Sequence, residues 1–102
     1  MNKCKSLNEA RENIERIDRH IVKLIGERRH YVKEATNFKE NTEDVLDKAR
    51  VELIIKKVRR LAEKAEVNPD MIEEVYRMMI TAFGKLEIED FKLKHMQQSE
   101  DK

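Results

Sequence analysis

The chain has 102 residues, of which 42% are charged and 39% hydrophobic, with a formal net charge of +1. That length fits one small domain, and a single copy of it buries only a modest share of its surface, so pairing with a second copy is an ordinary remedy. Interspersed charges of both signs argue against a dedicated nucleic-acid binder, which carries a basic excess. The pairs Arg28-Arg29, Lys56-Lys57 and Arg59-Arg60 are diluted by acidic neighbours and have no aromatic residues interleaved for base stacking.

Residues 1–6 form a polar leader, and Ser6 with Glu9 reads as a capping box that opens the first helix. Apolar residues then fall at Leu7, Ala10, Ile14, Ile17, Ile21 and Leu24, and again at Tyr31, Ala35 and Phe38. The alternating steps of three and four predict one coiled-coil-like helix from Leu7 to about Lys39, roughly 50 Å long. A compact globule of this size is only about 35 Å across. Such a helix would overhang it and leave apolar surface in water, so a homodimer built around the first helix is expected. Residues 40–44 form a polar joint, and Asp47 is placed to cap a second helix from Lys48 to about Glu66. Its stripe is Val51, Ile54, Ile55, Val58, Leu61, Ala62 and Ala65. Asn68-Pro69-Asp70 starts a third helix with a capping Asn, Pro at the first position and an acid in the first turn. This helix carries Ile72, Val75, Tyr76, Met79, Ile80, Phe83, Leu86 and Phe91, and residues 95–102 form a polar, fraying tail. With two Gly and one Pro, and no alternating run bounded by turn signals, the fold class is all-α: three helices over residues 7–94.

Cys4 is the single cysteine and excludes an intrachain disulfide. No apolar run of about 18 residues predicts a membrane span, and no signal-peptide core stands at the N-terminus. A reduced, cytoplasmic setting is the expectation. His20, His30 and His95 lack metal-ligand spacing with one another or with Cys4, and no phosphate-binding Gly-rich loop is present.

Ionisable residues occupy positions meant for apolar ones. Arg28 interrupts the first stripe, where a snorkelling side chain would account for it alone. Lys39 stands eleven residues on, about 20° around the same helix. Glu87 follows seven residues after Ile80, also about 20° off that line. Arg50 lies at the edge of the second stripe. Ionisable groups aimed inward from all three helices predict a polar pocket of the kind helical bundles build from facing helices. Arg11, taken alone, reads equally as a surface arginine. It is 17 residues and about 25 Å from Arg28 on one helix, so the two could grip one small molecule only if one of them came from a second chain. Three arginines and a lysine call for an anion, and guanidinium forks match carboxylates in bidentate geometry. A small dicarboxylate is the expected ligand.

Arg11-Glu12-Asn13-Ile14 with Ile17-Asp18, Glu27-Arg28-Arg29, Phe38-Lys39, then Val45, Asp47, Arg50 and Asn68-Pro69 together resemble the all-helical chorismate mutases and the related isochorismate-pyruvate lyases. The likeness spans residues 7–87. It implies an intertwined homodimeric helical bundle, with Arg28, Lys39, Arg50 and Glu87 from one chain and Arg11 from the other. Arg11 and Arg28 would hold the substrate carboxylates, Lys39 would donate to the ether oxygen, and Asp47 and Arg50 would close over the ring, Asp47 partly through its backbone. Rearranging chorismate to prephenate needs no nucleophile, metal, cofactor or obligatory proton transfer. It needs the enolpyruvyl arm held over the ring and a cation where charge grows on the ether oxygen.

Two positions depart from the common pattern. Many members carry Gln at the position of Glu87, and a carboxylate accepts hydrogen bonds without donating one, so activity is expected to fall as pH rises and deprotonates it. Val51 stands where well-known mutases place a Glu against the ring hydroxyl. An apolar residue there, and the segment from Tyr31 to Lys39, look like the lyase branch, which makes salicylate and pyruvate. The mutase is the leading expectation and the lyase its alternative. A non-catalytic helical dimerisation module would explain the heptads, but cations at stripe positions would destabilise it.

Overall fold

In the computed structural model, residues 3–38 and 47–100 are described. Among them the chain is all-helical, with no strand: α1 Leu7–Thr36, α2 Lys48–Lys64 and α3 Pro69–Glu100. It falls into two compact units that divide between Tyr31 and Val32.

The first unit is most of α1. Ser6 Oγ accepts from the Glu9 N–H at 3.1 Å, as a capping box requires. The reciprocal bond is shifted by one residue: Glu9 Oε2 accepts from the N–H of Lys5, at 2.9 Å. The stripe residues Leu7, Ile14, Ile17, Ile21 and Leu24 are 44–64% exposed in the single chain. Apolar side chains repeated at heptad spacing and left this open form a surface that water disfavours.

The second unit contains the end of α1, with α2 and α3. Helix α1 stops at Thr36 rather than near Lys39. The last turn tightens through two three-residue bonds, Asn37 N–H to Glu34 O and Phe38 N–H to Ala35 O, both 3.1 Å. Thr36 is buried, and its hydroxyl donates back to Val32 O at 3.1 Å. Lys94 Nζ donates to Asn37 Oδ1 at 3.1 Å, which fastens this turn to α3.

Helix α2 begins where the sequence places it. Asp47 is the N-cap, and its carboxylate accepts from the Arg50 N–H at 3.2 Å. The helix ends at Lys64, before the expected Glu66, because Glu66 takes a left-handed conformation with φ 59°. Val67 N–H reaches Ala62 O at 2.9 Å and Glu66 N–H reaches Glu63 O at 3.2 Å. This pair of bonds is a Schellman ending with Glu where Gly is usual. Asn68 Oδ1 then accepts from the N–H groups of Asp70 and Met71, at 2.8 and 3.3 Å, and Pro69 opens α3 as expected. Helix α3 continues through Glu100, past the point where fraying was expected.

Among the described residues, the buried apolar ones are Ile55, Val58 and Ala62 of α2 with Phe83 and Phe91 of α3. Leu61, Val75 and Leu86, expected on the stripes, are exposed in the single chain. No helix is long and apolar enough among the described residues to cross a membrane.

Candidate active site

Arg11 is exposed and Arg28 half-buried, both on the unbroken part of α1. The helical rise keeps them about 25 Å apart in one chain, so they cannot close on the same small ligand within it. Lys39 lies outside the described residues.

On α2, Asp47 and Arg50 are exposed and Val51 is half-buried. The Asp47 carboxylate is engaged as the helix cap, which explains its position by local structure alone. Val51, Ile55, Val58 and Ala62 fall within about 60° of arc, so Val51 continues the stripe that buries the other three. Arg50 and Glu52 point about 100° to either side of it.

Glu87 of α3 is half-buried, with Phe83 one turn before it and Phe91 one turn after, each only 8% exposed. An ionisable residue does stand within the inner stripe of this helix. It is ten residues, about 15 Å, beyond Arg77 along α3. Arg77 is paired with Glu52, and antiparallel α2 starts only about 6 Å before Glu52. Glu87 therefore lies past the described beginning of α2.

A chain of ion pairs, absent from the sequence reading, joins α2 to α3. Arg77 donates from Nη1 and Nη2 to the two carboxylate oxygens of Glu52, both at 3.0 Å, and from Nε to Glu73 Oε2 at 2.8 Å. Arg59 donates to Glu73 Oε1 at 2.9 Å and to Asp70 Oδ1 at 3.0 Å. The Arg77 guanidinium holds the carboxyls of Glu52 and Glu73 below the usual Glu range, chiefly through these hydrogen bonds. The carboxylates in turn raise both arginines above their ordinary value: Arg77 chiefly through Glu52, Arg59 chiefly through Asp70. Sequence spacing held a signal for this. Glu52 and Arg59 are seven apart on one helix, as are Asp70 and Arg77 on the next, which puts each pair on one face. Reading Arg59 with Arg60 as a basic cluster hid it.

Two surface hollows, of about 330 and 300 Å³, flank Arg77, and none of the candidate ligand residues lines them. Among the described residues no group of His, Cys, Asp and Glu could hold a metal ion.

These features can be set beside known proteins. The family described as chorismate mutase type II matches residues 10–88, so the chain belongs to that family. Among curated relatives, the isochorismate pyruvate lyase of Pseudomonas aeruginosa is 32% identical over 77 residues, covering 76% of each chain.

Proposed function

We propose that this chain is a chorismate mutase that acts as a homodimer, rearranging chorismate to prephenate in a cationic pocket shared between two chains. The observation that carries the reading is the family match over residues 10–88, which takes in Arg11, Arg28, Lys39, Asp47, Arg50 and Glu87 together. In this reading Arg28 and the second chain's Arg11 bind the two carboxylates through guanidinium forks. Holding both ends of the flexible ligand folds the enolpyruvyl arm over the ring, and that orientation supplies much of the rate. Lys39 and the protonated form of Glu87 stabilise charge on the ether oxygen as its bond breaks. The 25 Å between Arg11 and Arg28 along one helix and the exposed α1 stripe both support a second chain. The setting would be cytoplasmic.

A second reading is isochorismate-pyruvate lyase activity. It is favoured by Val51, an apolar residue at the ring-hydroxyl position, and by the lyase relative from Pseudomonas aeruginosa. Isochorismate carries its hydroxyl at another ring position, so loss of a polar contact there costs it less.

Thermal melting with a dicarboxylate mimic of the bicyclic transition state tests the pocket ahead of any turnover. A ligand present at a hundred times its Kd adds about 2.7 kcal/mol to the stability of the folded state. A rise in Tm that vanishes in Arg28→Ala supports the reading. An unchanged Tm would reduce the chain to a helical dimerisation module.

A further inference from the structure

Arg77 offers more than an ion pair. Its three donating nitrogens are all committed, two to Glu52 and one to Glu73, so the guanidinium plane has one orientation. Glu73 is held from its other oxygen by Arg59, which also grips Asp70. The ladder lies along one flank of α2.

That flank matters for what α2 presents on the other. No described residue of α2 before Ile55 is buried, so packing alone leaves the first turn lightly held. Glu52 sits just past that turn, and its fork with Arg77 ties this end of α2 to α3, ahead of the buried Ile55, Val58 and Ala62. Arg50 and Glu52 project about 100° to either side of Val51 around the helix. A change of roll would move Arg50 sideways and turn Val51 out of its stripe.

We propose that Arg77 is a positioning residue for the ligand site: its fork on Glu52 fixes the roll of α2 and so the direction in which Arg50 and Val51 face the ligand. The inference rests on the reading of Arg50 and Val51 as ligand contacts. Arg77 touches no ligand itself and acts through Glu52. Lysine cannot replace it, because an ammonium is a point charge and makes no fork across two carboxylate oxygens while holding a third.

The test compares purified full-length wild type, Arg77→Ala, Arg77→Lys and Arg59→Ala, measuring kcat, KM and Tm with chorismate and isochorismate. Arg59→Ala breaks the far end of the same ladder and serves as the control for stability. Misplacing a contact by about 1 Å can cost up to a hundredfold in rate. Arg77→Ala is expected to lower kcat/KM about tenfold or more, with Arg77→Lys also well below wild type. Arg59→Ala is expected to lower Tm by a similar few degrees, roughly, and to keep kcat/KM within about twofold of wild type. Arg77 variants with wild-type kcat/KM would overturn the inference. So would a fall in kcat/KM that tracks Tm equally in the Arg77 and Arg59 variants. A wild type inactive on both substrates would remove the underlying site reading, and the inference with it, an outcome distinct from either of these.

Discussion

Glu87 stands one helical turn from each of two buried phenylalanines, and the proposed function asks a neutral donor of it. Only its protonated form can donate to a ligand oxygen. The wild-type rate should fall as pH rises, and that of a Glu87→Gln variant should stay flat across the same range. A pH profile of kcat/KM for both proteins checks this, and parallel profiles would remove Glu87 from the chemistry. Arg28→Ala should cost about a hundredfold in kcat/KM, because losing a carboxylate fork lets the enolpyruvyl arm swing out of its reactive pose, with the far-UV circular dichroism unchanged. Glu66 gives a test independent of function. Its left-handed φ of 59° costs an L-residue about 1–2 kcal/mol, against about 0.5–1 kcal/mol of extra chain entropy that Gly would lose. Glu66→Gly should therefore raise Tm by a few degrees, and a drop would contradict the reading of that turn. At this scale Arg28 and Glu87, both half-buried, were legible because a charge breaks an apolar period, whereas Arg50 is exposed and points about 100° from the α2 stripe. Arg77 was not legible, since its meaning depends on Glu52, 25 residues away in sequence.

Helix starts were easier to read than helix ends. Ser6, Asp47 and Asn68-Pro69 each mark a start through a side chain that bonds to nearby N–H groups, so the signal is local. The ends lack Gly or Pro. Helix α1 stops through tightened turn bonds at Thr36, and α2 through a Glu in a conformation that sequence rules assign to Gly. The α2–α3 ladder predicts a definite pH response. Glu52 and Glu73 have lowered carboxyl pKa values in the folded chain. The stability they contribute is full above the ordinary Glu value and is lost as pH falls below it, through their folded values. Wild type should lose Tm on acidification from about pH 5 to about pH 3 more steeply than the Glu52→Gln, Glu73→Gln double variant. Equal slopes would show that the ladder contributes nothing in solution.

At the scale of the whole molecule, the question is what covers the first helix. An apolar stripe 44–64% exposed along α1, on a chain of 102 residues, is a poor end state for a chain with so small a core. The proposal of a homodimer predicts a two-chain mass in sedimentation at micromolar concentration. Ile17→Glu combined with Ile21→Glu should produce monomers of low stability, and a monomeric wild type would contradict the shared site. The heptad pattern made the long helix and its exposed apolar stripe readable from sequence.

The most direct test of the central claim is a side-by-side assay of the purified protein with chorismate and with isochorismate, following prephenate and pyruvate separately. Prephenate from chorismate should be the dominant product. Pyruvate and salicylate from isochorismate as the main products would contradict the mutase assignment in favour of the lyase and make Val51 a determinant of the choice. The absence of both products at acidic and neutral pH would contradict the assignment of the pocket to this chemistry.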